Sequence, residues 1–209
     1  VDEGDFVKTD GANIYLLHDD QLLIFGTPTA GEITPLSSLT IRGTPQQMLF
    51  HGDRLIVLST INAYTLSVDD PMAQTLRGGA SAHVSWWSDP AVQMTIIDIG
   101  DRTAPRVVRE YVVEGMLSAT RSIDGGVRIV TRTVQGVDGL NYSLNLSQAD
   151  LALRRNGEPA AWDEVFNHSI DAAIDANRRL IEAMTIDDFL PTVHAYLDRD
   201  SVVSSTLRG

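Results

Sequence analysis

The chain has no cysteine among its 209 residues. That absence removes disulfides, thiolate nucleophiles and cysteine-based zinc centres together. It leaves the compartment open, because a domain with an adequate core can be secreted without disulfides. Long hydrophobic runs are also missing. None approaches the roughly 20 residues that span a bilayer as a helix, so no membrane span is expected in this chain. An opening at Val1 rather than Met fits a processed or excised chain, in which a signal peptide would not show. Lysine is almost absent, with Lys8 alone beside 15 arginines, and 21 Asp with 7 Glu bring the formal net charge to −12. A field of that sign repels phosphate backbones, so nucleic acid is not an expected partner.

What is present is a globular composition, 43% hydrophobic, arranged mostly as short strands and tight turns. Asp10-Gly11 precedes the run Ile14-Tyr15-Leu16-Leu17, and Asp19-Asp20 turns the chain into Leu22-Leu23-Ile24-Phe25. Met48-Leu49-Phe50 is followed by His51-Gly52-Asp53 and then Leu55-Ile56-Val57-Leu58. Thr120 to Ile123 leads through Asp124-Gly125-Gly126 into Val127 to Val130. Runs of four or five residues between acidic or glycine turns are hairpin signals. Strands are also read from Gln93 to Ile99 and from Arg106 to Val113, with a returning strand at 201–207. Gly11 and Gly52 lie 41 positions apart, matching the ~40–45 residues of a four-stranded propeller blade.

The composition changes after Gly136. From Trp162 to Met184, apolar residues recur at three- and four-residue steps, predicting one amphipathic helix that starts near Pro159. Phe166, Ile170, Ile174 and Ile181 are its expected buried stripe. Thr185-Ile186-Asp187-Asp188 reads as a capping box opening a short further helix that stops at Pro191. The expected fold class is therefore mainly β: a partial β-propeller of about three antiparallel blades with an inserted α-helical segment. Residues 1–136 carry the blades, with an irregular insertion at 60–92. Residues 137–192 form the helical insertion, and 193–209 begin a further blade.

The opening Val1-Asp2-Glu3-Gly4-Asp5-Phe6-Val7-Lys8-Thr9-Asp10-Gly11, running into Ile14-Tyr15, resembles the start of the propeller region in a family of secreted bacterial and archaeal β-propeller-domain proteins. The likeness continues through Gly52 to Leu58, Thr95 to Ile99, Arg121-Ser122-Ile123 and Val130-Thr131, and lapses over 60–92. It implies a propeller fold, export to the exterior or the cell surface, and a chain holding the first few blades. It supplies no catalytic residues.

Two groups of side chains invite a functional reading. Asp2, Glu3 and Asp5 offer oxygen ligands to a hard cation such as calcium, though without the alternation of a calcium loop; hydrated or turn-capping carboxylates are the plainer reading. Trp86 and Trp87, in a loop of small residues with His83, offer a stacking platform for a carbohydrate or protein ligand. Alternatively, one Trp anchors the loop to its blade. No nucleophile–base pair, no paired-histidine metal motif and no phosphate-cradling glycine loop is present. No cofactor is expected. The function expected is a non-enzymatic binding or scaffold module outside the cytoplasmic membrane. A hydrolase or lyase with a central-axis site, completed by further blades, is the alternative.

Overall fold

The computed structural model describes residues 2–79, 90–132, 139–185, 190, 192–197 and 201–206. It divides into two compact units, one holding all the described strands and the other the described residues 139–185. The proposed platform of His83, Trp86 and Trp87 lies outside the described residues, as do most of the Thr185–Pro191 helix signals.

The strand unit opens with β1 (Asp2–Glu3), β2 (Val7–Thr9), β3 (Asn13–His18), β4 (Gln21–Gly26) and β5 (Thr34–Thr40). It continues with β6 (Thr44–His51), β7 (Arg54–Ile61), α1 (Pro71–Gly79), β8 (Ala91–Asp98) and β9 (Arg106–Glu114). β10 (Met116–Ile123) and β11 (Gly126–Arg132) follow, and β12 (Thr192–Tyr196) and β13 (Val202–Thr206) close it. Consecutive strands pair antiparallel from β2 to β5, from β6 to β9 and from β10 to β11, as expected of blades. The three sheets run β2-β3-β4-β5, β13-β12-β9-β8-β7-β6 and β1-β10-β11.

Local chemistry explains the hairpins. Asp124 and Gly125 both have positive φ, +50° and +78°. That is the requirement of the two-residue turn whose twist matches the flanking strands. At Gly43 (φ +79°), a Cβ would sit 2.3 Å from Ile61 Cγ2 and 2.6 Å from the Thr60 carbonyl oxygen, so only glycine lets the β5–β6 link pass so close to β7.

The core forms on both faces of the middle sheet. On one side, Met48, Leu55, Val57 and Ile97 pack with Tyr15, Leu22 and Ile24 of the first sheet. On the other, Leu49, Ile56, Leu58 and Val92 meet Leu117, Val127 and Ile129 of the third. Side chains alternate across a strand, so burial on both faces calls for the unbroken aliphatic run Leu55-Ile56-Val57-Leu58.

Two features of the strand unit differ from the sequence expectations. Within the part of the expected irregular insertion that is described, β7 runs to Ile61 and α1 follows from Pro71 to Gly79. The Met72 N–H donates to Asp70 Oδ1 at 2.8 Å, making Asp70 an N-cap with Pro at the first helical position. The segment after residue 192 does not begin a sheet of its own. β12 pairs with β9 over Tyr111–Val113 and carries β13 outward, because Ile61, Met72, Ala91 and Val112 form an apolar cluster that Tyr196 and Val202 cover.

The helical unit contains α2 (Gln148–Arg155) and α3 (Pro159–Ala183). Ser147 and Asp150 form a reciprocal capping box at the start of α2. Trp162 stacks on Phe166 at 5.4 Å. The Asn177 side chain brackets Asn141, accepting from its N–H at 2.7 Å and donating to its carbonyl at 3.1 Å. Neither helix has a fully buried residue. The expected stripe on α3 is corrected: Phe166 and Ile170 are half-buried, but Ile174 and Ile181 are 48% and 55% exposed. The half-buried line instead passes through Val165, Ser169, Ala173, Ala176, Asn177 and Leu180.

These burials set contrasting mutational costs. Leu55→Ala should destabilise by about 2–5 kcal/mol, as a fully buried leucine on a strand packed from two sides. Ile174→Asp should change stability by only about 0.5 kcal/mol. Urea unfolding followed by circular dichroism checks both, and equal losses would contradict the assigned burial.

Candidate functional site

Two clusters of partly buried charge each join separate segments of the strand unit. The first centres on Arg42, in the β5–β6 link. Its Nε lies 3.5 Å from Asp70 Oδ2 and its Nη1 3.4 Å from Glu110 Oε2. Its guanidinium sits 4.3 Å above the Tyr196 ring, within cation–π range. The Tyr196 hydroxyl donates to Asp70 Oδ1 at 2.8 Å. Gln93 Nε2 donates to Glu110 Oε1 at 2.6 Å and to Thr95 Oγ1 at 3.1 Å. One cation thus holds the β5–β6 link, the start of α1, β9 and β12 together. Gln93 Oε1 and Ser59 Oγ are buried without a hydrogen-bond partner among the described residues, and the two residues are register partners across β7 and β8.

Electrostatics at this place follow from burial. Desolvation pushes the Glu110 carboxyl above its ordinary value; Arg42 opposes the shift and the Asp70 charge adds to it. Burial also raises the Tyr196 phenol, reinforced by its hydrogen bond to Asp70. Asp70 and Glu110 share one arginine, so both carboxylates are engaged internally.

The second place centres on Arg102, in the β8–β9 link. It donates to the Tyr15 hydroxyl at 3.1 Å and contacts Asp10 at 3.4 Å and Asp53 at 3.2 Å. Tyr15 donates to Asp10 Oδ2 at 2.8 Å, and the Ser37 hydroxyl donates to the Arg102 carbonyl at 2.6 Å. This cluster fastens the turn before β3 to the β6–β7 turn. Burial opposes ionisation of Asp10, but hydrogen bonds from Asn13, Tyr15 and the Ala12 N–H outweigh it. They hold the carboxyl well below the usual range.

The acidic candidates at the N-terminus are not brought together as a ligand set. Asp2 accepts from Lys8 at 2.6 Å and from the Phe50 N–H at 2.9 Å. Glu3 pairs with Arg121 at 3.1 Å, which offsets the placement of Arg121 directly opposite Arg128. Asp5 accepts from the Phe6 N–H at 2.7 Å. Among the described residues, no three metal-binding side chains converge. His18, His51 and His168 are exposed. His194 is buried beside Ser204, at 2.7 Å, and burial lowers its pKa.

Arg42, Asp70, Gln93, Glu110 and Tyr196 were not singled out from the sequence. The one local signal was Asp70-Pro71, which reads as a helix start. A family model described as "Beta propeller domain" matches residues 1–206. No curated protein and no solved structure matches the chain.

The raised Glu110 carboxyl gives a pH signature. A carboxyl raised in the folded state binds its proton more tightly there than in the unfolded chain. Its contribution therefore favours folding at low pH and fades as pH rises from the ordinary value of 4.5 through the folded one. Glu110→Gln removes this term. The melting temperature of the variant relative to the parent should climb across that window and then level off; a difference constant with pH would contradict the assignment.

Proposed function

Because the chain belongs to the β-propeller domain family, matched over residues 1–206, we propose that it serves as a non-enzymatic binding or scaffold module outside the cytoplasmic membrane. The observation that carries this reading is the engagement of its partly buried charges. Arg42 bridges Asp70 and Glu110, and Arg102 bridges Asp10 and Asp53. These groups fasten strands and turns to one another, which keeps the sheets rigid beneath their connecting loops. Loops on a rigid scaffold are where propellers bind ligands. The extracytoplasmic placement rests on the resemblance of the first eleven residues to secreted propeller proteins.

The ligand proposed is a carbohydrate or a protein, held by Trp86 and Trp87 together with His83. The chain has three tryptophans, so indole fluorescence reads this loop against a single reference, Trp162. Titration with panels of oligosaccharides and peptides should change the fluorescence for one class. Replacing Trp86 and Trp87 with Ala should weaken that binding about tenfold or more. Binding that survives the double replacement would reject the loop as the site. Turnover of the ligand would favour the hydrolase or lyase alternative.

A further inference from the structure

The third sheet ends at β11, and no strand covers its outer edge among the described residues. The tight turn at Asp124-Gly125 makes Ile123 and Gly126 a hydrogen-bonded pair, and pairing then alternates along the ladder. The N–H and C=O groups of Val127 and Ile129 therefore point outward, away from β10. Unpaired edges are templates for strand addition; proline, bulges and charged side chains oppose it, and on β11 the charges are Arg128 and Arg132. The outer edge of the first sheet is blunted, since β5 carries Pro35. β11 is seven residues long with no proline. Its ladder irregularity lies on the β10 side, between Leu117 and Ala119.

We propose that this edge joins two copies of the chain, β11 pairing antiparallel with the β11 of a second copy about a two-fold axis at Ile129. The residue pattern of the strand favours that occupant and that register. The exposed face carries Gly126, Arg128, Val130 and Arg132; the half-buried face carries Val127, Ile129 and Thr131. Two-fold pairing at Ile129 sets Arg128 opposite the partner's Val130, and Arg132 opposite the partner's Gly126. No arginine then faces an arginine across the new ladder. Val130, 56% exposed, is covered by the aliphatic stem of the partner's Arg128. Because the axis is two-fold, each cross-strand pair occurs twice. This inference is independent of the ligand reading.

The register makes the test specific. Sedimentation velocity over a concentration series should show the full chain in a monomer–dimer equilibrium. Val130→Glu places a carboxylate opposite Arg128 in both copies and should tighten the dimer about fivefold to tenfold. Val130→Lys places like charges opposite each other and should loosen it by a similar factor. The double variant Arg128→Glu/Val130→Lys restores opposite charges and should recover the dimer. Circular dichroism confirms that each variant is folded, as expected for exposed positions. A chain that stays monomeric throughout would overturn the proposal, showing that no second copy takes the edge. A dimer indifferent to all three changes, or one broken only by Val203→Lys on β13, would overturn it too.

Discussion

The structure of the strand unit depends on one constraint, the burial of its middle sheet on both faces. β7 supplies Leu55 and Val57 to one apolar cluster and Ile56 and Leu58 to the other. A strand in that position has no face left for polar residues, hence its four consecutive aliphatic side chains. The first and third sheets each need only one apolar face, and their strands alternate accordingly: β11 reads exposed, half-buried, exposed along its length. The stacking of blade on blade follows from which strands can afford no polar face.

Charge is arranged around that stack. In a chain with 28 acidic residues and 16 basic ones, each cation near the core serves more than one acid or backbone carbonyl. Arg42 and Arg102 each reach two carboxylates from separate segments. Lys8 holds Asp2 and the Glu3 carbonyl. The Arg102 cluster ties the first sheet's turns to the second's, and the Arg42 cluster ties α1 and β12 to the middle sheet. Such pairs are costly to desolvate, so their value lies in fixing which segments meet.

The hairpins were legible because their determinants are local. Asp19-Asp20, Gly52-Asp53 and Asp124-Gly125 sit between aliphatic runs, and the strands form where those runs lie. The long helix was legible from its periodicity, including its start at Pro159. Its buried face was not, because Ile174 and Ile181 satisfy the same spacing as the residues that are half-buried. The capping signals Asp70-Pro71 and Ser147 to Asp150 were in the sequence, but the irregular pattern of 60–92 hid the first and the weak apolar pattern of α2 hid the second. The docking of β12 on β9 had no local signature. Nor had the Arg42 cluster, whose members come from five well-separated segments.

The central claim is that β7 is the innermost layer of a stack, closed by a sheet on each side. Hydrogen exchange tests it most directly, because an amide enclosed on both faces opens only when the whole unit unfolds. The account predicts that the amides of Leu55 to Leu58 exchange most slowly of all, at the rate set by global unfolding, and well behind those of the edge strand β5. Exchange in β7 as fast as in β5 would show that one flanking sheet does not cover it, and would contradict the stack.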